Sequence, residues 1–375
     1  MPDTKTDIFP LAPKFYEGEI KDIFSEDIPL IDVRSPGEFE HGAFPSAVNI
    51  PILDDEQRHQ VGICYKEKGQ DEAIKLGQSL VSGKNRQEKI DSWLAAIDKN
   101  PNILIYCFRG GLRSQLAQGL LREAGLIVPI IKGGYKRLRN YLLSNIEEQV
   151  ERNDFLVLSG HTGSGKTEIL GRAASEGHRV IDLEGLANHR GSAFGRRDTP
   201  QPTQIDFENL VSIQFLKEEK KGTTPILIED ESAAIGQVRL PKTLFEKKKV
   251  SPIFVLRIPV EERSEFTLDY YVKEVWLAYR EMDDAADLFF EFCKAPFDRI
   301  KKRLGGPVYD ECLADLRAGS DDLAKSGSFE RHKEWISKLL IHYYDPLYAK
   351  GLARKSEYIV GEGDEEEFMS SLKRG

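Results

Sequence analysis

Short apolar runs set off by turn residues alternate along this chain with longer stretches in which apolar residues recur every three or four positions. Residues 30–33, 103–106, 155–158 and 253–258 are runs of the first kind and predict buried strands. Residues 47–50 predict a further short strand, and 224–232 a strand ending in three acids. Helical spacing follows several of them. Residues 115–124 place Leu116, Leu120 and Leu121 on one face, and 135–152 align Leu138, Tyr141, Leu142, Ile146 and Val150. Residues 260–274 predict another helix, and 20–24 a short strand or helix. Between Pro51 and Ile103 the pattern is helical, with Ala73, Ile74, Leu76 and Leu80 apolar. From about residue 285 the chain reads as helix, with Trp335, Leu339, Leu340, Tyr343 and Leu347 as a core stripe, the alternative being that Tyr343-Tyr344-Asp345-Pro346-Leu347-Tyr348 lines a pocket. The tail, residues 361–375, is acidic and is expected to fray.

This alternation predicts an α/β protein with parallel sheets in two domains. Gly133-Gly134 marks the end of the first. The expected division is 1–134, a connecting helix over 135–152, and 153–375 with a helical C-terminal part. At 375 residues the length agrees with about two domains. With 40% hydrophobic and 31% charged residues the composition is that of a soluble globular protein, and no apolar run approaches a membrane span. No membrane partner is therefore expected. Four cysteines at 64, 107, 293 and 312 form no C-x-x-C pair, which points away from zinc or a disulfide framework and towards a reducing, cytoplasmic setting. Seven histidines in the whole chain argue against a His-rich metal site. The net charge is −9 and neither half is basic, so any nucleic acid must be met by a local patch.

Four stretches carry candidate chemistry. Cys107-Phe108-Arg109-Gly110-Gly111-Leu112-Arg113-Ser114 lies where a strand gives way to a helix. Backbone N–H groups and the positive end of the helix can converge there on a thiolate or an oxyanion, with charge added by Arg109 and Arg113. Gly160-His161-Thr162-Gly163-Ser164-Gly165-Lys166-Thr167 is a full G-x-x-x-x-G-K-T phosphate loop between a strand and a helix. Gly160, Gly163, Ser164, Gly165, Lys166 and Thr167 are expected to hold a diphosphate, with Mg²⁺ on Thr167 and on Glu229 or Asp230 of a Walker-B-like strand end. The loop over 183–197 concentrates His189, Arg190, Arg196 and Arg197 and could grip the phosphates of an RNA or of a small anion, with Phe194 available to stack a base. Cys64 reads either as a second transfer thiol or as a small buried hydrophobe.

Ile31-Asp32-Val33-Arg34 with Glu38-Phe39, His41-Gly42 and Ala47-Val48-Asn49-Ile50-Pro51 resembles a rhodanese domain, whose active-site loop is then the one at Cys107. Asp32 and Arg34 read as a buried ion pair fixing that loop. Two features depart from a simple rhodanese: the long insert between Pro51 and Ile103, and five residues between Cys107 and Arg113, one more than usual. The wider loop resembles the phosphate cradle of Cys-dependent phosphatases and suits a tetrahedral oxyanion. A rhodanese-like parallel-sheet domain followed by a P-loop α/β domain, together with Gly62-Ile63-Cys64-Tyr65-Lys66, Ala187-Asn188-His189-Arg190-Gly191-Ser192 and Glu229-Asp230-Glu231-Ser232, is similar to the bacterial tRNA 2-selenouridine synthases. That resemblance implies a transferase acting on wobble 2-thiouridine in tRNA. It implies geranylation of the sulfur from geranyl diphosphate, then replacement by selenium from selenophosphate, with a selenophosphate-producing enzyme as a partner. The alternative is a rhodanese-type sulfurtransferase or Cys-dependent phosphatase with an ATP-binding regulatory domain.

Overall fold

The computed structural model of the chain describes residues 12–192, 194, 195, 197 and 199–373. The chain divides into two compact units, one of residues 1–148 with 203–217 and one of 149–202 with 218–375. In the first, β1 (Leu30–Asp32) lies between β2 (Ala47–Asn49) and β3 (Leu104–Tyr106), all parallel, with Leu30 beside Ala47 and Leu104. β1 and β3 are buried throughout, so successive side chains enter two different cores. Ile31, Val33, Ile105 and Cys107 pack on one side with Trp93, Leu120 and Leu121. Leu30, Leu104 and Tyr106 pack on the other with Phe24, Phe44, Leu138 and Leu216.

Seven helices of this unit are α1 (Ile20–Ser25), α2 (Pro36–Glu40), α3 (Asp55–Lys68), α4 (Gln70–Leu80), α5 (Gly83–Lys99), α6 (Leu112–Glu123) and α7 (Gly134–Arg152). The helical pattern between Pro51 and Ile103 is thus three helices. Asp54 caps α3 by accepting from Gln57 N, and the indole Nε1 of Trp93 on α5 donates to Ile50 O at 3.0 Å. α6 starts at Leu112, three residues before its apolar periodicity becomes visible, because Gly111 turns the chain directly into the helix. A helix from later in the chain, Gln204–Glu219, lies along α7. Asn145 Nδ2 donates to Ser212 Oγ at 2.9 Å, Arg139 to Asn209 Oδ1 at 2.7 Å, and Asn209 Nδ2 to Ala43 O at 2.8 Å. Those contacts place residues 203–217 with the first unit.

The second unit holds β4 (Phe155–Gly160), β5 (Val180–Ile181), β6 (Ile226–Glu229), the hairpin β7 (Ala234–Ile235) and β8 (Val238–Arg239), β9 (Ile253–Leu256) and β10 (Ile359–Gly363). Its main sheet is parallel, in the order β10-β9-β4-β6-β5. The helix already met in the first unit is α10 (Gln204–Glu219); the helices of the second are α8 (Lys166–Ser175), α9 (Leu183–Leu186), α11 (Lys242–Lys249), α12 (Val260–Leu268), α13 (Glu274–Tyr279), α14 (Ala285–Leu304), α15 (Gly306–Ser326), α16 (His332–Leu339), α17 (Asp345–Ala353) and α18 (Glu365–Leu372). Two π-helical turns, Asp269–Lys273 and Leu340–Tyr344, interrupt the helical part. Phe289, Phe297, Leu316, Trp335 and Ile336 are the centre of its core. Among the described residues no helix is long and apolar enough to cross a membrane.

Three expectations are corrected. The acidic tail does not fray: β10 pairs with β9, and α18 is closed by a capping box between Asp364 and Glu367 that buries Phe368 and Met369. Leu347, expected in the core stripe, is 45% exposed, because the π turn before it rotates α17. Phe194 is not available to stack a base. Its ring packs edge-on to Phe297 at 5.1 Å and against Trp335, which supply a larger apolar surface than solvent would.

The first unit also depends on one buried ion pair. Arg34 Nε donates to Asp32 Oδ2 at 2.8 Å and Nη2 to the same oxygen at 2.6 Å, and Nη2 also reaches Gly42 O at 2.8 Å. Both side chains are buried and the guanidinium lies 3.9 Å from the Tyr135 ring centroid. Removing one partner strands the other charge in the core. Arg34→Ala is therefore expected to lower stability by about 3–5 kcal/mol, and the paired change Asp32→Leu with Arg34→Met by much less. Urea unfolding followed by hydrogen exchange at Ile31 and Ile105 checks this. A wild-type midpoint for Arg34→Ala would contradict it.

Candidate functional site

The Cys107 loop runs from the end of β3 to the start of α6. Its shape is set by a close contact between two glycine turns. A Cβ on Gly134 would lie 2.2 Å from Cys107 O, and one on Gly110 would lie 2.3 Å from Ile131 O, so neither position admits a side chain. Tyr135 N then donates to Cys107 O at 2.9 Å and Lys136 N to Phe108 O at 3.0 Å. Those two carbonyls are thereby turned towards α7, while Gly111 O faces the thiol side and accepts from Ser114 Oγ at 3.0 Å. Gly133-Gly134, read from sequence as a domain end, is part of the site.

Cys107 Sγ lies 3.3 Å from Ser114 Oγ. Arg113 lies on the same first helical turn and is ion-paired with Glu38, its Nη2 donating to Glu38 Oε1 at 3.1 Å. Burial alone would lower the Arg113 pKa, but Glu38 and the nearby Cys107 outweigh it and raise it. Glu38 responds in the opposite sense: burial raises it, and Arg113 brings it below the usual carboxylate range. Arg109 is exposed and projects over the Phe108 ring. A cavity of about 560 Å³ opens at Cys107 under α3 and α4, and both Arg109 and Arg113 line it. Cys64 sits half-buried on α3 but does not line that cavity.

In the second unit the phosphate loop joins β4 to α8. α12 packs directly onto it: a Cβ on Gly163, which has φ +82°, would lie 2.6 Å from Thr267 Oγ1 and 2.8 Å from Arg263 O. Lys166 Nζ donates to Gly160 O at 3.0 Å and lies 5.6 Å from the Tyr348 ring centroid. Burial would lower the Lys166 pKa, but Tyr348, Glu184, Glu231 and Glu229 more than offset it and raise it. Ser164 Oγ and Thr267 Oγ1 are buried with no hydrogen-bond partner among the described residues. Of the two, Ser164 lines the phosphate-loop cavity together with Lys166, and an orphaned hydroxyl with a buried ammonium suits the oxygens of a diphosphate. The cavity here measures about 160 Å³.

The acids facing that cavity differ from those the sequence suggested. Glu229 is fully buried behind the sheet end, accepting from Leu183 N at 2.8 Å; burial, then Asp182 and Glu184, hold its pKa well up. Asp230 is engaged by Lys355 and by Ser159 Oγ at 2.9 Å, with the buried Lys248 nearby. Glu184 and Glu231 instead line the cavity, and both back onto Gly191. Thr167 Oγ1 donates to Glu184 Oε2 at 3.0 Å. Burial, followed by Glu231, lifts the Glu184 pKa to about 8. Thr167, Glu184 and Glu231 are hard oxygen donors gathered in one place and fit a Mg²⁺ ion, whereas Glu229 and Asp230 do not line this cavity.

The basic loop contributes to the same cavity. Arg190 donates to Tyr270 O and to Glu274 and lies between the Tyr270 and Tyr271 rings. Arg190 and Arg197 line the phosphate-loop cavity, while Arg196 lies outside the described residues. His189 is half-buried, and burial lowers its pKa. A further group went unread in the sequence: Arg263 makes two 2.8 Å bonds to Asp345, which also bonds His161 Nδ1 at 2.7 Å, tying α12 and α17 to the phosphate loop.

Comparison with known proteins supplies the family. The profile described as the tRNA 2-selenouridine synthase AAA domain matches residues 153–375, and the rhodanese-like domain profile matches 18–141. The chain is 46% identical to a tRNA 2-selenouridine synthase of Marinobacter nauticus, over 92% of this chain and 94% of that one. It is 42% identical to one of Shewanella halifaxensis over 94% and 96%, and 43% identical to one of Sulfurovum sp. over 95% and 97%.

The environments of the four thiols differ enough to be tested. Cys293 and Cys312 lie in the helical core, where burial pushes Cys293 far above the usual range and Cys312 up to about 12. Cys107 opens onto a cavity and Cys64 is half-buried on a helix surface. A small methanethiosulfonate reagent is expected to modify Cys64 and Cys107 in the native protein, and Cys293 and Cys312 only after unfolding. Peptide mass spectrometry reads the outcome, and native labelling of Cys293 would contradict the placement.

Proposed function

The chain belongs to the tRNA 2-selenouridine synthase family, and from that premise we propose that it converts wobble 2-thiouridine of tRNA to 2-selenouridine through an S-geranyl-2-thiouridine intermediate. The observation that carries this reading is the presence in one chain of two anion cradles of different build. One is a phosphate loop with a buried lysine and an unpartnered serine hydroxyl, and the other is a Cys loop opening on an apolar cavity. Two anionic donors, geranyl diphosphate and selenophosphate, match two such sites.

In the first step the sulfur of the base forms a bond to the terminal carbon of the geranyl group. The carbon–oxygen bond to diphosphate breaks and the diphosphate leaves with the electron pair, while the base loses its N3 proton. The N–H groups of Gly163, Gly165, Lys166 and Thr167, the Lys166 ammonium and the Ser164 hydroxyl would hold the diphosphate. Mg²⁺, held by Thr167, Glu184 and Glu231, would neutralise charge on the leaving group. Arg190 and Arg197 add positive charge to that same cavity and so serve the donor before they serve RNA.

In the second step a carbon–selenium bond forms at C2 of the base as the carbon–sulfur bond breaks, releasing geranyl thiolate. We place selenophosphate on the Cys107 loop, at the unpartnered N–H groups of the start of α6, with Cys107 as nucleophile on phosphorus: a sulfur–phosphorus bond forms as the selenium–phosphorus bond breaks, selenide leaves for C2 of the base, and water then returns phosphate and the free thiol. A phosphatase or simple sulfurtransferase is less well served by this site, since a compact oxyanion has no use for the large apolar cavity at Cys107.

The test is a nucleoside profile of thiolated tRNA after incubation with both donors. Cys107→Ser keeps the size of the side chain and the N–H array but is a far poorer nucleophile. It is expected to abolish 2-selenouridine and to leave S-geranyl-2-thiouridine accumulating. Normal 2-selenouridine formation would show the thiol to be dispensable. Absence of both products from the wild-type protein would overturn the reading as a whole.

A further inference from the structure

The cavity at Cys107 is built unlike an anion site. Its walls are Ile52, Leu53, Val61, Ala73, Ile74 and Leu116, all buried or half-buried and all apolar. At about 560 Å³ it falls within the roughly 300–1,000 Å³ of small-molecule sites. The walls on one side come from α3 and α4, the insert that a simple rhodanese lacks. Nothing in the local fold requires the space, because the sheet core is already closed by Trp93, Leu120 and Leu121.

Its outer lining is of another kind. Tyr65 is 57% and Phe108 37% exposed, although both line the cavity. Arg58, Lys66 and Arg109 stand beside them, exposed, in a protein whose net charge is −9. Exposed rings beside cations are what an unstacked nucleotide needs, the ring for its base and the cations for its phosphates. An apolar interior behind such a mouth calls for a nucleotide whose base carries a hydrocarbon group. Cys107, 3% exposed, lies at the boundary between the loop and that interior.

We propose that this cavity is the docking site of the S-alkylated nucleotide itself. The hydrocarbon chain enters under α3 and α4, the base stacks on Tyr65 or Phe108, and the sulfur bearing the chain is left beside the Cys107 loop. This deepens the function proposed above and rests on its S-geranyl intermediate. It gives the α3–α4 insert a purpose: it recognises the product of the first step by its chain, so that selenium is delivered to alkylated bases and the unalkylated thiocarbonyl is passed over.

The experiment measures binding of two synthetic nucleosides, S-geranyl-2-thiouridine and 2-thiouridine, to the full chain by equilibrium dialysis. The alkylated nucleoside is expected to bind at least about tenfold more tightly, since its chain leaves water for an apolar cavity. Val61→Trp and Ile74→Trp, which fill the cavity, should each bring its affinity down to that of 2-thiouridine. Ile74→Ser, which leaves the space but makes its wall polar, should cause a smaller loss and covers the case in which a filled variant fails to fold. Saturating inorganic pyrophosphate, which has no place for a nucleoside chain, should leave the binding intact. Unchanged affinity in folded filling variants, or displacement by pyrophosphate, would overturn the proposal. Its failure is separable from that of the enzymatic reading. Tight, cavity-dependent binding with no geranylated tRNA formed would support the pocket and sink the reaction. Both tRNA products formed normally by a filled-cavity variant would do the reverse.

Discussion

Both sites depend on one constraint of parallel α/β structure. Where a buried strand ends and a helix begins, the first N–H groups of the helix have no intrahelical partner. Whatever fills that place must accept hydrogen bonds and is favoured if it is negative. β3 with α6 and β4 with α8 present this arrangement twice. Glycine decides how closely the surroundings approach it. Gly110 and Gly134 let two turns touch behind Cys107, and Gly163 lets α12 lie on the phosphate loop. The chemistry then diverges through what is placed next to each turn: a thiol and an apolar cavity in one case, a lysine and paired carboxylates in the other.

The contiguous parts of this were legible in the sequence. The strand–loop–helix context of Cys107 and of the 160–167 loop is written in consecutive residues, and so are the parallel α/β class and the helical C-terminal part. What escaped was whatever the fold brings in from a distance. Glu184 and Glu231 reach the phosphate loop because β6 lies beside β4 and β5 beside β6; three adjacent acids gave no hint which would face inwards. Tyr348 and Asp345 arrive from nearly 200 residues further on and resembled core positions. The insert read as helical, but its role as the wall of a cavity follows from packing against Leu112 and Leu116, which no periodicity reports. The tail is the instructive miss. Its acidity suggested solvent, whereas Asp364 three residues ahead of Glu367 is a capping signature that was there to be read.

Charge explains how an acidic protein can meet RNA. The basic residues of the 183–197 loop that can be placed are turned towards the phosphate-loop cavity, with Arg190 held between two tyrosine rings and a glutamate. Arg58, Lys66 and Arg109 stand exposed around the cavity at Cys107, whose lining also includes Tyr65 and Phe108. On the proposed reading, donor binding and base binding draw on different cationic groups, whereas the sequence had suggested the 183–197 loop for the RNA.

The central claim is that alkylation and selenium insertion belong to different sets of residues, the first to the phosphate loop and the second to the Cys107 loop. The most direct measurement supplies tRNA already S-geranylated, together with selenophosphate, to the Lys166→Ala protein. The diphosphate step is then bypassed. This account predicts 2-selenouridine at the wild-type rate from that substrate, with none formed when the same variant is given 2-thiouridine tRNA and geranyl diphosphate. Failure of a folded Lys166→Ala protein to convert the pre-geranylated tRNA would show that the phosphate loop acts in both steps, and would contradict the division.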